Sequence, residues 1–339
     1  MGVKAIVKNI LPQYLVEHIR NAKSTMILSR EYKIQAKRFR ESYSREWSTG
    51  KMQVQSRTMF LTHQLEKGLS HKNFRYGFGL GVFEALGTML TRFENADSQY
   101  LINPVYKECM SAIHEYIIRH QRAGKDLSKQ SQFLSHEQWN RALNWEEKDG
   151  GTAILLAKDK INNSELPFSA LVQHRHSLRE YSNQPVTQNE LRQAVQLATS
   201  APSACNRQPA RVVEVLDQKL IAQLLNIQGG VRGYATPPAL LLVTAKQSVF
   251  MGTNERNQGY VDGGLFSMML LLSLESIGLA SCPLHTMFDG YKDQMTRDLL
   301  HIPDDEILIM YIEVGHYPDR AMTPQSTRLP VDDVLRVVK

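Results

Sequence analysis

The densest group of chemically capable side chains in this 339-residue sequence is His174–Arg175–His176–Ser177–Leu178–Arg179. Two guanidinium groups, imidazoles and a hydroxyl in so short a stretch make a cluster of donors. Such a cluster suits a phosphate and the carbonyl edge of a heterocycle, because the planar fork of arginine meets oxygens two at a time. A second segment, Ala201–Pro202–Ser203–Ala204–Cys205–Asn206–Arg207–Gln208–Pro209, combines small residues and prolines with an amide, and would let backbone come close to a planar ring. A third, Ser326–Thr327–Arg328–Leu329–Pro330, places one more cation near the C-terminus. Each segment alone also reads as an ordinary basic surface or loop. His285 is a candidate proton donor, set against the plainer reading of a solvated loop histidine. His63, Glu66 and Lys67 fall at i, i+3 and i+4, one face of a helix. A surface ion pair accounts for that face; the sharper reading is a lid that shapes a substrate pocket. Metal chemistry is not expected, since His301, His316 and the isolated cysteines show neither HExxH nor paired CxxC spacing.

The elements that must carry these residues change character along the chain. The first ~145 residues read as helical, because Tyr14–Ile27 and Tyr32–Tyr43 are rich in helix formers and Met59–Leu69 and Val105–Arg122 repeat apolar residues every three or four positions. Gly68 is expected to end its helix. The glycine-rich run Tyr76–Gly81 is not a phosphate loop, as it lacks both the GxGxxG spacing and a flanking strand. Between Trp145 and Pro167 the composition turns polar, which sets the expected boundary between an N-terminal helical region, 1–160, and a C-terminal domain, 165–339. Beyond Pro167, helices alternate with short apolar strands. Thr187 and Glu190 form a capping box over a helix that buries Leu191, Ala194, Val195 and Ala198. Strands are expected at Val212–Leu216, Ala239–Thr244, Leu279–Cys282 and Ile307–Val314. Helices are expected at Gly264–Ile277, stopped by Gly278, and at Tyr291–Leu300. The fold class is α+β: a mixed sheet flanked by helices in the C-terminal half, preceded by a mostly α-helical region.

Composition narrows the function classes. A hydrophobic content of 42% and a charged content of 22% are those of a globular chain rather than a disordered one. Three widely spaced cysteines, Cys109, Cys205 and Cys282, fit a reducing compartment better than a disulfide framework. No secretory leader is expected at Met1–Leu11, and Ile6 stands where a myristoylation motif after Gly2 wants Ser or Thr. The apolar run Leu265–Leu274 is too short to span a bilayer, so no integral membrane segment and a cytoplasmic location are expected. Residues 1–60 carry twelve basic and four acidic side chains, more net charge than the +6 of the whole chain. That arm either contacts an anionic surface or presents a solvated helical face.

Taken together, in order and spacing, the three segments resemble the nitroreductase-like family of FMN-dependent oxidoreductases. The resemblance rests on Arg175-His176-Ser177-Leu178-Arg179, on Ala201-Pro202-Ser203 with Asn206 and Gln208-Pro209, and on Asp262 to Gly278 leading into Leu279-Ala280-Ser281-Cys282. It covers about 170 residues and implies FMN as cofactor. Arg175, Ser177 and Arg328 are implied to hold its phosphate, with His176 in the same contact segment. Arg179 is implied near N1 and the C2 carbonyl of the ring, where a fixed cation stabilises the anionic reduced flavin. Pro202, Ser203 and Asn206 are implied to line the ring from the neighbouring subunit of a homodimer, and Pro283 and Leu284 to lie against its other side. Two positions depart from the family pattern: Ala210 stands where an aromatic is common, and Ser326 where a basic residue is common. The implied function is two-electron transfer from NAD(P)H to a small organic acceptor in a ping-pong cycle, with no side chain assigned as catalytic. The alternative is a flavin-binding regulatory or interaction protein that docks through its basic N-terminal half. A reductive deiodinase is disfavoured, because that branch's zwitterion-binding lid residues are not found.

Overall fold

The computed structural model describes residues 12–338, so the leader and lipidation readings of the first eleven residues lie outside the described residues. The N-terminal region is helical: α1 (Gln13–Ser42), α2 (Lys51–Ser70), α3 (Leu80–Ala96), α4 (Pro104–Arg122), the single turn α5 (Ser128–Ser131) and α6 (His136–Leu143). The two N-terminal helical stretches seen in the sequence run on as one rod, α1, which buries none of its own residues. It meets the rest of the chain through contacts such as the Glu31–Arg256 ion pair at 3.6 Å. Helices α2 and α4 bury the repeating apolar faces that predicted them and α3 packs with them, with Leu65, Leu69, Phe83, Leu90, Tyr106 and Ile113 fully enclosed in one core.

Gly68 does not end α2, which continues to Ser70. A side chain there would stand 1.9 Å from the Phe78 ring, so its glycine permits close packing rather than a helix stop. The glycine-rich run that follows does break the pattern: Gly77 and Gly79 both have left-handed backbone, and Gly79 caps α3.

A strand, β1 (Thr152–Leu156), crosses the polar stretch read as a linker, and the short helix α7 (Phe168–His174) follows it. The helix α8 (Gln188–Ala198) carries the expected capping box at Thr187 and Glu190. Then come β2 (Ala210–Val215), α9 (Gln218–Gln228), β3 (Ala239–Lys246), α10 (Gln258–Ser276), β4 (Leu279–His285), α11 (Gly290–Leu300), β5 (Glu306–His316), β6 (Arg320–Pro324) and the turn α12 (Val331–Val334). Helix α10 starts six residues before the expected Gly264 and stops beside Gly278, whose φ is 82°.

The main sheet has strand order β2-β3-β5-β4 with antiparallel pairing, and one parallel bridge joins Ser177 to Ser281. Strand β3 is buried on both faces. Its Leu241 and Val243 enter the core under α8 and α10, while Leu240 and Leu242 enter the core under α9 and α11. Each such side chain contributes about 1.5–3 kcal/mol by leaving water. A second, two-stranded sheet pairs β1 with β6, Thr152 opposite Pro324 and Leu156 opposite Arg320. Helix α4 holds this pair: Glu115 accepts from the Thr152 amide at 2.7 Å and from its hydroxyl at 2.7 Å. The N-terminal helices and the C-terminal half therefore meet along β1, β6 and the segment after β6. Among the described residues no helix is long and apolar enough to cross a membrane.

Candidate functional site

Where α7 ends, the chain turns extended and runs between β4 and β6. The Leu178 amide donates to the Ser281 carbonyl at 3.1 Å, and the Thr323 hydroxyl donates to the Ser177 carbonyl at 2.8 Å. With its backbone fixed on both sides, this segment turns Arg175, His176, Ser177 and Arg179 into a cavity of about 840 Å³. The tail after β6 closes the opposite wall and adds Arg328 to the same space. Two arginines of one segment and a third about 150 residues further along the chain thus line one cleft, and none of them joins an ion pair among the described residues. The lining includes no carboxylate.

The electrostatics ask for an anion. Nη1 of Arg175 and Nε of Arg179 are buried without a hydrogen-bond partner, and orphaned buried donors of this kind cost free energy until something accepts from them. Burial first, and then the Arg328 guanidinium, lower the Arg175 pKa from its ordinary value. Burial also lowers His176, whose Nδ1 lies 2.7 Å from the His174 carbonyl. Below the segment, Glu275 binds Lys160 Nζ at 2.7 Å, Asn163 Nδ2 at 2.9 Å and the Tyr317 hydroxyl at 2.6 Å, a buried network that fixes the floor.

The N-terminal helices build the remaining wall. His63 of α2 lines the cavity, and its Nδ1 lies 3.4 Å from the Ser326 hydroxyl. Burial, followed by Arg179, Lys67 and Arg328, lowers His63 to about 4, so it is neutral at ordinary pH. Glu66 is wholly buried rather than part of a surface ion pair; it accepts from the Gly151 amide at 2.9 Å and the Ser326 amide at 3.4 Å. Glu108 of α4 accepts from the Thr327 amide at 2.9 Å. Burial pushes both acids up to about 7, Glu108 further assisted by Glu66. Two buried carboxyls of the helical region therefore hold the backbone on either side of Ser326, and with it the approach of Arg328.

Other expected site residues lie apart from this cavity. Pro202 and Asn206 are exposed on the loop before β2, Ser203 is half-buried there, and the Ala204 amide donates to Asp262 at 3.2 Å. That loop holds Cys205, Asn206 and Gln208 in left-handed backbone, a strain of about 1 kcal/mol or more at each non-glycine position. Pro283 is half-buried and Leu284 buried on β4, opposite Ile312 and Tyr311, with Leu284 inside the core under α9 and α11. His285 opens onto a separate cavity. Among the described residues no group of His, Cys, Asp and Glu could hold a metal ion. Sequence reasoning missed Thr323 and Glu108. The first lies in a strand too short to be seen, and the second follows no local pattern pointing to a tail more than two hundred residues away.

The stretch that carries the arginine segment is also similar in sequence to known proteins. Residues 172–231 match the Nitroreductase family, a span that holds both the arginine cluster and the loop before β2. An FMN reductase [NAD(P)H] of Bacillus subtilis is 27% identical over 182 residues, 49% of this chain and 71% of that protein. An NADH dehydrogenase of Thermus thermophilus is 28% identical over 193 residues, 48% of this chain and 91% of that protein. A solved nitroreductase family protein from Streptococcus pneumoniae superposes with a TM-score of 0.45 at 21% identity, over 51% of this chain and 100% of the other. The similarity to nitroreductase-family proteins thus lies in the C-terminal half of the chain and covers about half of its length.

Proposed function

We propose that this protein is an FMN-dependent NAD(P)H oxidoreductase whose cofactor lies in the cavity between Arg175, Arg179 and Arg328. The observation that carries the reading is that Arg175, Arg179 and Arg328 line one cavity without a carboxylate, two of them with a buried guanidinium nitrogen that no protein group satisfies. A phosphate accepts from arginines in this way, and the volume is that of a small-molecule site. The similar proteins named for FMN and NAD(P)H support the same chemistry. When bound, FMN supplies the redox step, taking two electrons from NAD(P)H and giving them to an organic acceptor in a ping-pong cycle.

The chain's own residues bind and orient. Arg175, Ser177 and Arg328 hold the phosphate, with His176 in the same segment. Arg179 would hold fixed positive charge beside the ring, where it would stabilise negative charge gained on reduction. Neutral His63 closes the wall without adding a fourth cation. Pro202, Ser203 and Asn206 stand on a strained loop, as residues offered to a partner's ring would, and we read the working unit as a cytoplasmic homodimer. Pro283 and Leu284 form the strand behind Arg179. The domain division follows: residues 1–160 wall the site and residues 165–339 hold the cofactor, with β1 tying the two together.

The test is direct. Purified protein is yellow, NADH or NADPH bleaches it without air, and an added quinone or nitroaromatic restores the colour. A yellow protein that neither nicotinamide bleaches would favour a flavin-binding interaction protein instead.

A further inference from the structure

A second cavity, about 610 Å³, lies on the other side of His63, which lines both. Its walls come from α2, the loop after α2, the loop after α9, the end of β4 and the start of α11. Lys67, Arg75, Arg232 and Lys292 all line it, no carboxylate does, and none of the four cations joins an ion pair among the described residues. Phe60, Phe78 and Tyr234 add flat apolar surface to the same space.

The cavity is built rather than incidental. Lys67 Nζ donates to the Gly230 carbonyl, and the Tyr234 hydroxyl donates back to the Lys67 carbonyl at 2.9 Å. The Tyr234 ring stacks on His71 with centroids 3.8 Å apart. Buried Gln228 accepts from the Gly230 amide at 2.6 Å and donates to the His285 carbonyl at 3.3 Å. The loop that presents Arg232 is thus fastened to α2 and β4 before any ligand arrives, which spares a ligand the cost of ordering it. Burial, then Arg179, lowers the Lys67 pKa, with buried Glu313 acting in the opposite direction.

We propose that this second cavity is an anion subsite for the phosphate groups of a phosphorylated organic reactant, whose reacting end reaches past His63 toward the first cavity. The subsite rests on the oxidoreductase reading for its purpose, and on its own four cations for its chemistry. Phosphate is favoured over a single carboxylate because four cations from four segments exceed what one carboxylate can satisfy. The same chemistry could come from a phosphorylated hydride donor or from a phosphorylated acceptor.

The experiment is calorimetric titration of the flavin-loaded protein with inorganic pyrophosphate, its flavin content recorded from the same sample. Saturable binding is expected, weakened about tenfold or more in Arg232→Ser/Lys292→Ser and unchanged in Lys129→Ser/Arg192→Ser, which loses the same charge elsewhere. No saturable heat, or equal weakening in both double variants, would overturn the subsite. Should the preparation carry no flavin, the oxidoreductase reading fails on its own. The two double variants still decide the subsite there, with Arg175→Ala removing any pyrophosphate bound in the first cavity. In steady-state assays, a KM rise of Arg232→Ser/Lys292→Ser confined to NADPH or NADH identifies the donor as source. A rise confined to phosphorylated acceptors identifies the acceptor.

Discussion

Arg175 has a buried guanidinium nitrogen without a partner and feels the Arg328 guanidinium across the cavity. An anion there satisfies the first and offsets the second, so Arg175→Ala should cost about 1.5–3 kcal/mol of FMN affinity, roughly 10- to 100-fold. Flavin fluorescence titration checks it, and unchanged affinity would remove Arg175 from the phosphate site. His63 supplies a pH signature. Its folded-state pKa of about 4 lies below the ordinary 6.5, so the unfolded chain binds the proton more tightly. Its contribution to stability is full above about pH 6.5 and is lost as pH falls through about 4. A histidine NMR titration should show its midpoint near that value, whereas an ordinary midpoint would mean the side chain stands in water. The arginine cluster was legible in the sequence because its residues are consecutive. Arg328 was reached through resemblance, since a single cation in a polar tail has no local signal. The unpaired donors were invisible, because only packing decides which guanidinium loses its water.

Helices α2 and α4 reach the site through Glu66 and Glu108, which accept from the Gly151, Ser326 and Thr327 amides. Both carboxyls sit at about 7, above the ordinary 4.5. Between those values the folded chain binds protons more tightly than the unfolded one, so stability falls as pH rises across that window. Glu66→Gln/Glu108→Gln keeps an acceptor but removes the titration. The difference in melting temperature between about pH 5 and about pH 8 should narrow in that variant; an equal difference in both proteins would mean these acids do not set it. Gly68→Ala should destabilise by about 1–3 kcal/mol, because the added carbon meets the Phe78 ring, and chemical denaturation measures it. Helix faces were readable from their periods and from the Thr187 capping box, and the strands of the main sheet from their apolar runs. Strands β1 and β6 were not, since five residues paired across more than 160 positions carry no period that separates them from a loop. Gly68 was misread because a glycine that permits close packing and one that stops a helix look alike until the neighbouring ring is in place.

At the scale of the molecule, the helical region is part of the site's wall rather than an appendage. Its core is separate from those of the C-terminal sheet, yet His63, Glu66 and Glu108 all bear on the segment after β6. The polar composition between Trp145 and Pro167 suggested a boundary, and it did not show that β1 pairs with β6 there. A chain beginning after α6 would leave the tail's amides without their acceptors, and it should hold FMN at least tenfold more weakly than the full chain. Equal retention on gel filtration would show the helices to be dispensable for cofactor binding. A crystal structure of the yellow protein shows whether Arg175, Arg179 and Arg328 surround one flavin mononucleotide. FMN density is expected in the 840 Å³ cavity, its phosphate within hydrogen-bond distance of Arg175 and its ring edge against Arg179. Flavin density in another place, or a cavity filled only by water in flavin-saturated protein, would contradict it.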